Sequence, residues 1–467
     1  MSTSIPPAGA GAGTAPPASA RLILCLALFV AGLVSAQPAH AFAPIQQIAS
    51  PGGIVAWLVE DHSVPIVTLE ASFAGSGSAA DPQGKEGLAN LTAELLTEGA
   101  GPYDSASFQT RLDDRAISLG FSAGAERLHA ALRTLSRDRA IAFEMLRFAL
   151  TEPRFDAEPI ERVRAQILAQ VQRSRQDPRA IANRVWYSAA FPGHSYGRPG
   201  RGTATSIGRI QREDLLGFAA ERIDRGGLIV SVVGDITAAE LAGLLDQTFG
   251  RLASGAKADD PKPAIASGPG GIMVVPRAIP QSVVTFGQPG ILRSDPDFIP
   301  AFVLNHIIGG GGFGARLMTE IREKRGLAYG ANSSLVAFRL SGLWMGSVAT
   351  QNGRVAQSID LVRQIWREVR ENGVTAEELA DAKTYLIGSY PLRFDSSRAI
   401  AGALAQVQED NLGIDYFDRR NALIERVSLD DLRRVARRLM DPEALVFVVV
   451  GQPSGLEPTR PVPDQPS

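Results

Sequence analysis

Apolar positions along the chain fall into two kinds of run. Short continuous or alternating runs predict strands at Ile54–Val59, Ile66–Phe73 and Gly227–Val233, and again at Gly271–Val275, Ser282–Phe286 and Gly342–Ala349. Longer periodic segments predict helices. Leu88, Leu91, Leu95 and Leu96 share one stripe, with Gly99 placed to end that helix. Asp295-Pro296 opens another, Asp as N-cap and Pro in the first turn, running to Ile308. Between Leu252 and Gly271 the chain is rich in Ala, Gly, Pro, Ser and charge without an apolar period, which predicts a linker. Pro453 to Ser467 reads in the same way as a disordered tail.

The pattern is duplicated. Gln211 through Gly234 aligns without gaps to Ser428 through Gly451, an offset of 217 residues. Asp214, Leu215, Ala219, Asp224, Leu228, Val232, Val233 and Gly234 recur as Asp431, Leu432, Ala436, Asp441, Leu445, Val449, Val450 and Gly451. A helix followed by a buried strand therefore closes each half. Strands and helices mixed in duplicate predict an α+β fold of two homologous sandwich domains, each a mainly antiparallel sheet covered by helices on one face. The first domain is expected at 42–251 and the second at 272–452, joined by 252–271.

Composition changes this picture little. With 467 residues, 45% hydrophobic and 21% charged, the chain is long enough for more than one core. A formal charge of −2 gives no basic field, so neither nucleic acid nor an anionic membrane is an expected partner. The N-terminus reads as an export signal: Arg21 precedes an apolar run from Leu22 to Val34, and Ala39-His40-Ala41 supplies a cleavage site. Residues 1–41 are then removed, no stable membrane span remains, and a bacterial periplasm is the expected compartment. Retention of the segment as an anchor is the alternative. Cys25, the only cysteine, lies within the signal, so the mature chain forms no disulfide.

The segment Gly87-Leu88-Ala89-Asn90-Leu91-Thr92-Ala93-Glu94-Leu95-Leu96, set between Ala74-Gly75-Ser76-Gly77 and Thr97-Glu98-Gly99, resembles the zinc helix of the pitrilysin and insulinase family of peptidases. That family's signature is H-x-x-E-H, in which two His face the metal and the Glu is the base that deprotonates water. Here the key positions read Asn90, Ala93 and Glu94. The later helix that supplies the family's third ligand is matched by Glu161 to Val171, with Ala169 and Gln170 where acidic residues are expected. Phe191-Pro192-Gly193-His194-Ser195-Tyr196-Gly197 and Val232-Val233-Gly234-Asp235 match further family landmarks. Zinc hydrolysis needs three protein ligands, an open position for water and a base. Only Glu94 survives of that set. The four histidines beyond the signal, His62, His129, His194 and His306, show no pair at helical spacing. The chain itself is thus expected to hold no metal.

In the second half, Asn305 to Leu317 includes Gly309, Gly310, Gly311 and Gly312, followed by a segment in which Leu317, Met318 and Ile321 give a helix its apolar stripe. Gly326 can end that helix in a left-handed turn and Tyr329 begins a strand, which brings Arg322 and Tyr329 within reach of each other. Arg325 is the nearest competitor for the same role. The glycines also satisfy G-x-G-x-x-G at Gly309, Gly311 and Gly314, but a helix rather than a strand precedes them, which argues against a dinucleotide site. The run is similar to the glycine-rich loop of the non-catalytic mitochondrial processing peptidase subunit, which implies substrate binding; a hinge between two helices is the alternative. The family resemblance implies that Arg322 and Tyr329 bind substrate and support the oxyanion of peptide hydrolysis in an active site shared with a second subunit.

These readings combine into one expectation: a catalytically incomplete subunit, paired with a homologous H-x-x-E-H-bearing subunit that carries zinc, acting on peptides that add a strand to an exposed sheet edge. The alternative is a structural or peptide-binding protein of the same fold without catalytic partner, similar to the respiratory-complex core proteins. A self-sufficient peptidase with a metal site rearranged around Glu94 lacks other ligands at suitable spacing.

Overall fold

The computed structural model describes residues 44–255, 264, 266 and 269–464. The export signal and most of the linker lie outside the described residues. Among those described, no helix is long and apolar enough to cross a membrane.

Two sheets organise the chain. The first contains β1 (Gln46–Ala49), β2 (Val55–Glu60), β3 (Ile66–Ala74), β4 (Ser118–Ala123), β5 (Arg127–Leu135) and β6 (Leu228–Gly234), in the order β1-β2-β6-β3-β5-β4. The second contains β7 (Gly271–Pro276), β8 (Gln281–Pro289), β9 (Ala328–Ala337), β10 (Gly342–Gln351) and β11 (Val446–Gly451), in the order β7-β11-β8-β10-β9. Only β2 with β6 and β7 with β11 run parallel; every other pairing is antiparallel. The α+β class and the two-sheet duplication stand as read from sequence.

Among the helices that cover the sheets and wall the cavities are α1 (Leu88–Leu95), α2 (Ala157–Ser174), α3 (Pro178–Ala190), α4 (Arg212–Arg222), α5 (Phe298–Asn305), α6 (Ser397–Glu409) and α7 (Leu429–Leu439). The aligned repeat becomes α4-β6 and α7-β11. Both helices open with a capping box, Gln211 with Asp214 and Ser428 with Asp431, which satisfies orphan N–H groups at equivalent places. Both strands end on a glycine in the left-handed half of backbone space, Gly234 at φ 134° and Gly451 at φ 155°. A Cβ on either would strike the neighbouring strand, at the carbonyl of Ile66 or the side chain of Ser282. The helix at Asp295 starts later than its sequence suggests. Asp295 turns back to accept from the N–H of Asp297, and Asp297 becomes the residue before the first helical position, Phe298.

Domain boundaries drawn along the chain do not describe the packing. Helix α3, from the first half, lies on β8 and β11 of the second sheet. Helix α6, from the second half, lies on β3 and β6 of the first. Each sheet therefore has its own helices on one face and a helix from the other half on the opposite face. The sequence of β11 reflects this: Phe447 and Val449 enter the core built by the second half's helices, while Val446, Val448 and Val450 meet Ile181, Val185 and Trp186 of α3. A strand buried on both faces reads as an uninterrupted apolar run. Trp186 is fully buried and its indole N–H donates to the Val446 carbonyl at 3.2 Å. Gly287 in β8 leaves the space its ring occupies. On the other side Gln408 of α6 donates to Ser231 Oγ of β6 at 2.8 Å.

The tail is ordered where it is described. Thr459 Oγ1 accepts from Ile272 N at 2.8 Å, Thr459 N donates to the Ile272 carbonyl at 2.9 Å, and Leu456 packs on the second core. The free edge of β7 supplies these bonds, which composition alone does not reveal. Residues 465–467 lie outside the described residues.

Beneath α6, Glu70 of β3 faces Glu409 and Arg398, with Arg127, His129 and Ser72 close by. Burial pushes the Glu70 carboxyl up to about 7; Arg398 pulls it down and Glu409 raises it further. Between its ordinary 4.5 and 7, the folded protein keeps a proton that the unfolded chain has lost, so this group costs stability as pH rises through that window. Urea midpoints at pH 5 and pH 8 should shift in favour of Glu70→Gln relative to the parent at the higher pH. Trp186→Ala should cost about 3–5 kcal/mol by the same measurement, as removal of a fully enclosed ring between α3 and the second sheet requires.

Candidate functional site

Helix α1 is held at its start by Asp81, whose carboxylate accepts from Gly87 N at 2.7 Å and Ala89 N at 2.9 Å. Asp81 is buried, which pushes its pKa up to about 7 against the opposing effect of those two N–H groups and of Arg198. Gly87 has φ 96°, and the Arg201 carbonyl occupies the space that a side chain would need. The register of the helix is thereby fixed: Leu88, Leu91 and Leu95 face the first core, Ala93 is buried, Asn90 is half-buried and Glu94 is exposed.

Asn90, Ala93 and Glu94 line one wall of a cavity of about 590 Å³. Phe121 to Ala125 of β4 and its turn form the second wall; Asn183, Arg184 and Tyr187 of α3 form the third. The loop from Ser195 to Arg201 closes the end, joined by Phe338 from the second half. Tyr196 stacks on Phe338 with ring centroids 4.6 Å apart and its hydroxyl donates to Glu126, whose carboxylate also accepts from Arg339 N at 3.0 Å. Burial and the Glu126 acceptor raise the Tyr196 pKa, so the phenol stays protonated. Strand β4 is the edge of its sheet, paired only with β5.

The residues do not fit zinc. Among the described residues no group of three or more His, Cys, Asp or Glu stands close enough to hold a metal. Glu94 is the sole carboxylate on the cavity wall, and Ala169 and Gln170 of α2 are not part of that wall. Nor do the histidines supply a donor there. His62 bonds to Asp235 at 2.7 Å, His129 lies 3.6 Å from Glu409, His194 Nδ1 accepts from Tyr196 N, and His306 stacks on Tyr385.

Arg322 and Tyr329 do come together. A wide helical turn at Met318–Glu323 and Gly326 at φ 58° set the Arg322 guanidinium 4.9 Å from the centroid of the Tyr329 ring and 4.7 Å from that of Phe313. Tyr329 is 86% exposed and Phe313 is 64% exposed. Neither Arg322 nor Tyr329 lines the cavity of their own chain. Arg325 is occupied elsewhere, donating to the Glu320 carboxylate at 2.6 Å.

The four glycines have structural reasons of their own. A side chain on Gly309 would strike Ser333 of β9, one on Gly310 would meet Asn305, and one on Gly311 the His306 carbonyl. Gly312 has φ 62° and open space around it. The run lets the chain pass tightly over β9, and this geometry by itself reserves none of the four for a ligand. Sequence reading did not single out Asn183, Arg184, Tyr187 or Phe338. Helix α3 reads as ordinary packing, and Phe338 reaches the cavity only because the halves interlock.

Two family profiles match consecutive segments. Insulinase (peptidase family M16) covers residues 58–204, and the peptidase M16 inactive domain covers 209–386. The chain belongs to the M16 peptidase family. Among its relatives, the non-peptidase homolog YmxG of Helicobacter pylori is 28% identical over 396 residues, 84% of this chain and 90% of that protein. An uncharacterized zinc protease of Streptomyces coelicolor is 24% identical over 424 residues, 88% of this chain and 90% of that protein. The crystal structure of a peptidase M16 inactive domain from Pseudomonas fluorescens superposes with a TM-score of 0.82 at 28% identity, covering 90% of this chain and all of that one. A chain of the Candida albicans complex III shares the fold at TM-score 0.73 and 15% identity, covering 87% and 96%. In this M16 member the wall residues Asn90, Ala93 and Glu94 stand where the family signature has two histidines and a glutamate.

A ring-stacked guanidinium on the surface contributes about 0.5–1 kcal/mol. Tyr329→Phe, which keeps the ring, should leave the urea midpoint unchanged within error; a loss above about 1 kcal/mol would make the tyrosine hydroxyl a structural group.

Proposed function

We propose that this chain is the non-catalytic subunit of an exported heteromeric M16 peptidase. Its partner is a homologous subunit that carries H-x-x-E-H and zinc; this chain contributes Arg322, Tyr329 and peptide-binding surface. One observation carries the reading: Tyr329 stands exposed with the half-buried Arg322 against its ring, neither lines the chain's own cavity, and no carboxylate is paired with Arg322 among the described residues. A guanidinium and a phenol are donors suited to negative charge developing on a carbonyl oxygen, and neither activates water. Their usefulness therefore lies in a site whose metal and base come from elsewhere. The name of the Helicobacter pylori relative, a non-peptidase homolog, and the match to the inactive-domain profile support the same reading. The unpaired edge of β4 beside the cavity suits a peptide bound through backbone hydrogen bonds, which tolerates varied sequences. Export rests on the apolar run from Leu22 to Val34 and on Ala39-His40-Ala41.

Copurification from the native host, followed by metal analysis and peptide hydrolysis assays, tests the reading. The isolated chain should hold no stoichiometric zinc and cleave nothing, while the complex holds zinc and cleaves peptides in a chelator-sensitive way. Arg322→Ala or Tyr329→Phe should lower kcat of the complex about 10²-fold with assembly intact. Full turnover by the double variant would remove the role of the pair. Absence of activity in every mixture would favour a structural or peptide-binding protein instead.

A further inference from the structure

The second half repeats the cavity of the first with different chemistry. Helix α5 lies by the edge strand β9 as α1 lies by the edge strand β4, and α6 closes the space as α3 does in the first half. The result is a cavity of about 540 Å³, within the range of small-ligand sites. Its wall is largely hydrocarbon and aromatic, with Phe298, Phe302, Leu335, Phe394 and Phe417 among its residues.

Charge on this wall is unbalanced. Three guanidiniums reach it, from Arg293, Arg393 and Arg420, against one carboxylate, Asp410. Asp410 is already engaged, 3.2 Å from Arg293, which also donates to the Tyr416 hydroxyl at 3.0 Å. Arg420 is only 5% exposed. Its guanidinium lies 3.9 Å from the centroid of the Tyr390 ring and donates through Nη1 to the Leu386 carbonyl and Asn421 Oδ1. No carboxylate pairs with it among the described residues. A cation so enclosed without a counter-charge is costly, and an anion brought beside it is held far more strongly than in water. Arg393 is exposed and adds a second positive group at the opening.

We propose that this cavity binds a carboxylate carried on an apolar, preferably aromatic, body. The carboxylate meets Arg420 and Arg393, and the body occupies the aromatic wall. A free acyl or aryl acid and the C-terminal end of a peptide share this chemistry. The residues that line the site all come from one chain.

Isothermal titration of the full chain with 4-phenylbutyrate and with N-acetyl-Phe-Leu, each against its amide, tests the inference. Both acids should bind, and each amide at least 10-fold more weakly. The tighter of the two acids identifies the source, a free acid or a peptide end. Arg420→Gln should abolish the preference for acid over amide. Because Arg420 is buried, two further variants guard against misfolding: Arg393→Ala, at an exposed position, should weaken the acids several-fold, and Ala403→Trp should fill the cavity and block both. Equal binding of acid and amide, unchanged binding by Ala403→Trp, or no binding of either acid at millimolar concentration overturns the proposal.

Discussion

The exchange of α3 and α6 between the two sheets is the constraint on which the molecule depends. A sheet in this chain has two apolar faces, and its own half provides helices for only one of them. The other face stays open until a helix arrives from the far half. That requirement accounts for the double-faced apolarity of β11, for the glycine at position 287 opposite Trp186 and for Gln408 reaching Ser231. It also creates the cavities, because α3 and α6 are each both a cover for the opposite sheet and a wall for their own half.

Chemistry sits on this frame unevenly. In the first half, the helix where the family signature would place two histidines and a glutamate presents Asn90, Ala93 and Glu94, and other residues position it. Asp81 holds its N-terminus, Gly87 makes the close approach to Arg201, and three leucines anchor it in the core. Fold and reaction are separable here because the residues that place the helix point inward, whereas those that would bind metal point into the cavity. Substituting the second set leaves the first untouched.

Sequence revealed whatever is local. The strands with continuous apolar runs, each helix–strand unit of the α4-β6 and α7-β11 repeat and the meeting of Arg322 with Tyr329 all depend on residues near one another in the chain. Strands β4 and β5 lie outside the sequence reading: half-buried residues alternate with exposed ones in β4, and buried apolar residues with half-buried ones in β5, as in Arg127-Leu128-His129-Ala130, so neither gives a long apolar run. The start of α5 at Phe298 was missed because the side chain of Asp295 makes a turn that composition does not distinguish from a cap. The helix exchange, the pinned tail and the aromatic cavity of the second half were invisible for a different reason. Each is made by segments distant from one another in the chain, and no periodicity in a single stretch encodes its partner.

The order of strands has a consequence for how the chain is made. In each sheet a middle strand is the last of its half to be synthesised: β6 inserts between β2 and β3, and β11 between β7 and β8. Neither sheet can zip up progressively from one edge. The first also waits for α6, and α3 has no surface to lie on until β8 and β11 exist. A growing polypeptide thus keeps an apolar face of each sheet uncovered until β11 has been made, and that face is the hazard a chaperone would have to shield.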